Sequence, residues 1–162
     1  MSAFLEWTNK LILGVPVIDE QHLGMLTVLN RLAEVLQLKL SDCDCPIPSP
    51  MPTGSSGKAV AAPPTLDPCI THLLEEFAQL AHDHMKSEEA LMSQHGYPGL
   101  VEHKREHTML SAELNLFVRD IIQGTDSLDQ KALCALKQWL IVHIVESDKA
   151  FVDYLNAPGD QP

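Results

Sequence analysis

His84 and Glu88 stand four residues apart, as do His103 and His107, and His22, His143 and Asp148 add donors of the same two kinds. Residues four apart project from one face of an α-helix, about 6 Å from each other along its axis, so each pair can reach one interior point. A lone His-x-x-x-His set among Lys104, Arg105 and Glu106 has the composition of a solvated face. His103 and His107, however, continue a stripe through Leu110, Leu114, Phe117 and Ile121, which turns them towards a core. A single core histidine is satisfied by a backbone carbonyl. Five inward imidazoles with two carboxylates need stronger partners, because polar groups are costly to bury unpaired. The set is too large for one tetrahedral zinc and suits two six-coordinate ions that share bridges. Imidazole with carboxylate favours iron, manganese or zinc over calcium or magnesium, and the lack of clustered thiolates argues against an iron–sulfur cluster. Neither Glu-x-x-His nor His-Glu-x-x-His occurs in the chain. His143 and Asp148 fit least well, since five residues on a regular helix are about 140° apart. A local π-bulge there is expected to bring them together.

Four helices are needed to aim these side chains. The first is expected after "GVPV", with Asp19 as its cap and Leu26, Leu29, Leu32 and Leu36 facing inward, running to about Leu40. Asp67 followed by Pro68 announces the second, which Gly96 closes, with Phe77, Ala81, His84, Glu88 and Leu91 on its inner stripe. The third runs from about Pro98 to Gly124. The fourth opens with a capping box from Ser127 to Gln130, carries Leu133, Leu136, Leu140, Ile144 and Phe151, and stops at "NAPG". Short connections between the last three make neighbours antiparallel, so the fold class is all-α, an up-down antiparallel four-helix bundle. Residues 41–66 hold six of the 11 prolines and read as a long Pro-rich loop insertion between the first two helices.

The 162 residues suffice for one domain with a real core. A formal charge of −11 repels nucleic acid and anionic lipid, and no segment suggests membrane insertion or a secretory leader, so the chain reads as cytoplasmic. Cys43, Cys45, Cys69 and Cys134 form no paired framework at zinc-finger spacing and fit a reducing compartment. A second metal at Cys43, Cys45 and Cys69 has only the weak signal of one Cys-x-Cys.

The motifs "IDEQH", "HMKSEE", "HKREH" and "WLIVHIVESD" resemble the successive signatures of the hemerythrin family in its bacterial branch, over the whole chain except 41–66 and the tail. The resemblance implies reversible O2 binding at a non-heme di-iron centre, two Fe2+/Fe3+ ions with an oxo or hydroxo bridge. It assigns His103, His107 and His143 to one iron, His22 and His84 to the other, and Glu88 and Asp148 to the bridges. The iron with two imidazoles keeps an open position for O2, or for azide and other small anions when oxidised. Trp139, Leu140 and Ile144 match the family's apolar lining of that pocket. No catalytic acid or base is implied. Residues 1–155 would form the di-iron domain and 156–162 a tail or linker. The family includes stand-alone carriers and sensor inputs; the long loop and the linker-like "NAPGDQP" favour an oxygen- or redox-sensing input to a signalling output domain, with a stand-alone carrier, or an enzyme reducing peroxide or O2, as alternatives. No output domain lies between residues 1 and 162.

Overall fold

The computed structural model describes residues 4–38 and 66–157; the expected loop, Cys43, Cys45 and the end of the tail lie outside them. The described residues form helices only: α1 (Pro16–Val35), α2 (Pro68–Gln94), α3 (Leu100–Ile122), α4 (Gln130–His143), a π-helical segment (Ile144–Asp148) and α5 (Lys149–Leu155). The last three follow one another without a break in helical backbone and act as the fourth helix of an up-down bundle.

The helix ends show why the chain turns where it does. Asp67 caps α2 by accepting from the Cys69 N–H at 2.8 Å, with Pro68 in the first turn, as expected. Asp19 is not the α1 cap. It lies inside the first turn and reaches back to accept from Leu13 N–H and Gly14 N–H at 2.7 and 2.9 Å, fixing the approach to the helix. The α4 cap is Asp129, which accepts from Ala132 N–H at 2.9 Å, rather than Ser127. Its carboxylate is a stronger acceptor than a hydroxyl, and it starts the helix two residues later. Three helices close on a left-handed residue: Gln37 (φ 56°), Gly96 (φ 63°) and Gly124 (φ 70°). In each, the next residue's N–H returns to a carbonyl five positions back: Leu38 to Ala33, Tyr97 to Met92 and Thr125 to Asp120. The apolar run through Leu36 and Leu38 hid the first of these stops, so α1 ends at Val35 and not near Leu40.

Apolar burial divides into two parts. The larger includes Met25 to Ala33 of α1, Ile70 to Ala81 of α2, Leu114 to Ile121 of α3 and Ala132 to Ile144 of the fourth helix. The smaller is Ile18, Met92 and Phe151, with Tyr97, Leu100 and Tyr154 packed on it. On every helix the gap between the two is filled by the polar residues singled out above: His22 on α1, His84 and Glu88 on α2, His103 and His107 on α3, His143 and Asp148 on the fourth. A polar layer thus lies between a long apolar core and an apolar end plug, where water has little access. Cys69 is free and exposed. Cys134 is buried on α4.

Candidate metal centre

All seven expected donors are buried, none more than 6 % exposed. They fall into two groups that share one carboxylate: Glu88, His103, His107, His143 and Asp148, and His22, His84 and Asp148. In the first, His103 Nε2 and His107 Nε2 stand 3.0 and 3.4 Å from Glu88 Oε2, and His143 Nε2 is 2.9 Å from Asp148 Oδ1. In the second, His22 Nε2 and His84 Nε2 lie 3.0 and 3.5 Å from Asp148 Oδ2. Asp148 thus turns one oxygen to each group. Glu88 leans to the three-imidazole side, with its Oε2 3.8 Å from His84 Nε2.

The π-helical segment brings Asp148 to this position. A π turn takes one more residue than an α turn, so Asp148 arrives beneath His143 instead of about 140° away. The five-residue spacing that fits a regular helix poorly is therefore met by the expected widening.

The outer edges of three imidazoles are held as well. His107 Nδ1 donates to Glu89 Oε1 at 3.0 Å, His143 Nδ1 to Glu106 Oε1 at 2.9 Å, and His84 Nδ1 to Gln21 Oε1 at 3.3 Å. A neutral imidazole that donates from Nδ1 carries its lone pair on Nε2. His107 Nε2 then faces His143 Nε2 at 3.1 Å and His103 Nε2 at 2.9 Å, so that three ring nitrogens meet at one point. His84 Nε2, Glu88 Oε1 and Asp148 Oδ1 are buried without any hydrogen bond, although Asp148 Oδ1 has His143 at 2.9 Å. The atoms converge on shared points, His103 and His107 on Glu88 Oε2 and His22 and His84 on Asp148 Oδ2. This arrangement fits cations held between them.

The charge balance of the bare chain agrees. Burial, the largest single influence on His143, lowers its pKa, yet the Asp148 carboxylate and the bond to Glu106 together push it up to about 10. Burial alone would raise Asp148 and Glu88. The neighbouring imidazoles outweigh it, holding Asp148 well below and Glu88 below the usual carboxylate range. His84 is lowered, burial being the main cause. Protonated His143 sets one positive charge against the two carboxylates.

Glu89, Glu106, Gln21 and Ser147 went unnoticed in the sequence because each is an ordinary surface-type residue whose partner is on another helix. Leu140 and Ile144 are buried in the main core next to the donor-bearing turn. Trp139 is half-buried against Phe77, ring centroids 6.2 Å apart, with its indole N–H buried and unpartnered. A groove of about 580 Å³ opens elsewhere, over His103, Glu106, Ser147 and Tyr97, and contains none of these three residues.

Residues 13–155 match the family described as Hemerythrin HHE cation binding domain. The chain belongs to the hemerythrin family. Relatives in this hemerythrin group include a bacteriohemerythrin of Stenotrophomonas maltophilia (strain R551-3), 27 % identical over 98 % of this chain and 86 % of its own length. A bacteriohemerythrin of Clostridium acetobutylicum is 23 % identical over 91 % of this chain and 98 % of that protein. A crystal structure of a hemerythrin carrying a leucine-to-alanine mutation superposes with a TM-score of 0.71, at 21 % identity, over 96 % of this chain and all of that one, so the bundle is the hemerythrin fold.

Proposed function

We propose that the chain binds O2 reversibly at a pair of iron ions, with His103, His107 and His143 holding one, His22 and His84 the other, and Glu88 and Asp148 between them. The observation that carries this reading is the split of the donors into a three-imidazole and a two-imidazole group joined by one carboxylate. Iron, when bound, supplies the electrons and the coordination position that dioxygen needs. The chain's own part is to aim five Nε2 atoms, bridge with carboxylates, and close the layer against water from both ends. The two-imidazole side has fewer protein donors and is the side for O2, or for azide in the oxidised form, with Trp139, Leu140 and Ile144 as its apolar wall. Among the described residues no inward side chain is left over as a general acid, which favours binding over turnover of peroxide or O2. Residues 1–155 would be the binding domain and 156–162 a tail, working in the cytoplasm; no helix among the described residues is long and apolar enough to cross a membrane.

For its role we favour a sensing input, because His143 and Asp148 sit on the helix that leads to the tail and would transmit a change at the iron along it. A stand-alone carrier is the second reading, supported by the chain spanning 86 % and 98 % of two bacteriohemerythrins. Anaerobic titration of the metal-free protein with ferrous ion tests the binding reading. Two ions per chain are expected, with loss at both positions in Asp148→Asn, whose amide cannot bridge as an anion. Saturation at one ion, or two retained tightly in that variant, would contradict it.

A further inference from the structure

We infer that Glu106 is a positioning residue that holds the widened turn of the fourth helix in register, and so places His143 and Asp148 for metal. Its carboxylate grips both ends of that turn from α3: Oε1 takes the His143 Nδ1–H at 2.9 Å, and the Ser147 hydroxyl reaches Oε1 and Oε2 at 2.8 Å each. His143 is the last residue of α4 and Ser147 the penultimate residue of the π-helical segment. A π turn is less favourable than an α turn and persists where side chains hold it. In the π register, Ser147 and Asp148 flank the direction of His143 on opposite sides. Relaxing to the α register would rotate both about the helix axis by roughly 70–90° relative to His143. Asp148 would leave the interior, and Ser147 would cross to the other side of His143, so that the Glu106 carboxylate would have to move from its present position to keep both bonds. These bonds are charge-assisted, and Glu106 lies on the wall of an open groove shared with Ser147. Nothing comparable constrains α3, where His103 and His107 meet at ordinary helical spacing and Glu89 holds only one of them.

The consequence for iron rests on the di-iron reading, but the positioning itself does not, so the two are tested apart. Hydrogen exchange over residues 144–149 of the metal-free protein is compared among wild type, Glu106→Ala, Ser147→Ala and, as a control on the regular helix, Glu89→Gln. Exchange should quicken about tenfold in the first two variants, the scale of one hydrogen bond to a charged group, and not in the control. Unchanged protection in both Glu106→Ala and Ser147→Ala would overturn the inference. If Glu106→Ala does not fold, Ser147→Ala, which removes a single hydroxyl, decides alone. In the iron-loaded protein, release of iron to a chelator should be faster in Glu106→Ala than in Glu106→Gln, which keeps one acceptor oxygen. Equal rates would overturn the link from turn to metal. A wild type that takes up no iron would defeat the di-iron reading and leave the exchange result standing.

Discussion

A histidine whose Nδ1 is committed to a carboxylate has one use left for Nε2, and His107 and His143 point theirs at each other 3.1 Å apart. Replacing His107 with Ala would leave His103 and His143, with the Glu88 and Asp148 carboxylates, for the ion proposed to have three imidazoles. Iron content after gel filtration should fall below two per chain, and undiminished content would remove His107 from the ligand set. The bare site also fixes a pH dependence. His143 is raised from about 6.5 to about 10, so its contribution to stability is complete below its unfolded value and disappears as pH rises towards 10. Asp148 and Glu88 are depressed, so their contribution is complete above about pH 4 and disappears as pH falls. The metal-free melting temperature should therefore decline between about pH 7 and 9.5; a flat or rising profile would show that His143 is not charged there. Azide affinity of the oxidised protein should drop in Leu140→Trp or Ile144→Phe with iron retained, and unaltered affinity would take these residues out of the pocket wall. The seven donors were legible because cost of burial and helical spacing act within one sequence segment. Their outer partners were not, since Glu106 and Glu89 meet imidazoles on other helices and read locally as solvated charge.

Helix ends show the same division between local and long-range information. Gly96 and Gly124 announce the stops of α2 and α3 because only glycine adopts a left-handed backbone at no steric cost. Gln37 adopts the same conformation at the end of α1 without any such signal, and the leucines beyond it extend the apparent helix. Gln37→Gly should accordingly stabilise the protein by roughly 0.5–1 kcal/mol, the strain relieved less the added freedom of the unfolded chain. A denaturation midpoint that falls would mean the turn carries no strain. The π-helical segment was legible for a different reason: His143 and Asp148 make chemical sense together and geometric sense only if the helix widens. Four helices and their antiparallel order followed from periodicity and short connections. The Asp19 and Asp129 roles did not, because several acceptors compete near each helix start and packing selects among them.

Taken whole, the bundle encloses a polar layer between two apolar regions, and its stability should depend on what neutralises that layer. Removing iron should speed hydrogen exchange around residues 18–25, 84–92, 100–107 and 143–152 more than in the Leu26–Ala33 part of the long core, since five imidazoles and two carboxylates then face each other without their cations. Uniform loosening would mean that the layer is not where metal acts. If the chain is a sensor, exchange of residues 140–157 should also differ between the reduced, O2-free state and the O2-exposed state; identical protection would favour the carrier. Both rest on reversible O2 binding at iron, and one measurement reaches that claim most directly. The iron-loaded, reduced protein is followed by its visible and near-ultraviolet absorption through air exposure and subsequent removal of the gas. A new band that appears with O2, disappears when O2 is withdrawn and returns on a second exposure is the predicted result. No change with air, or a change that gas removal leaves in place, would contradict it.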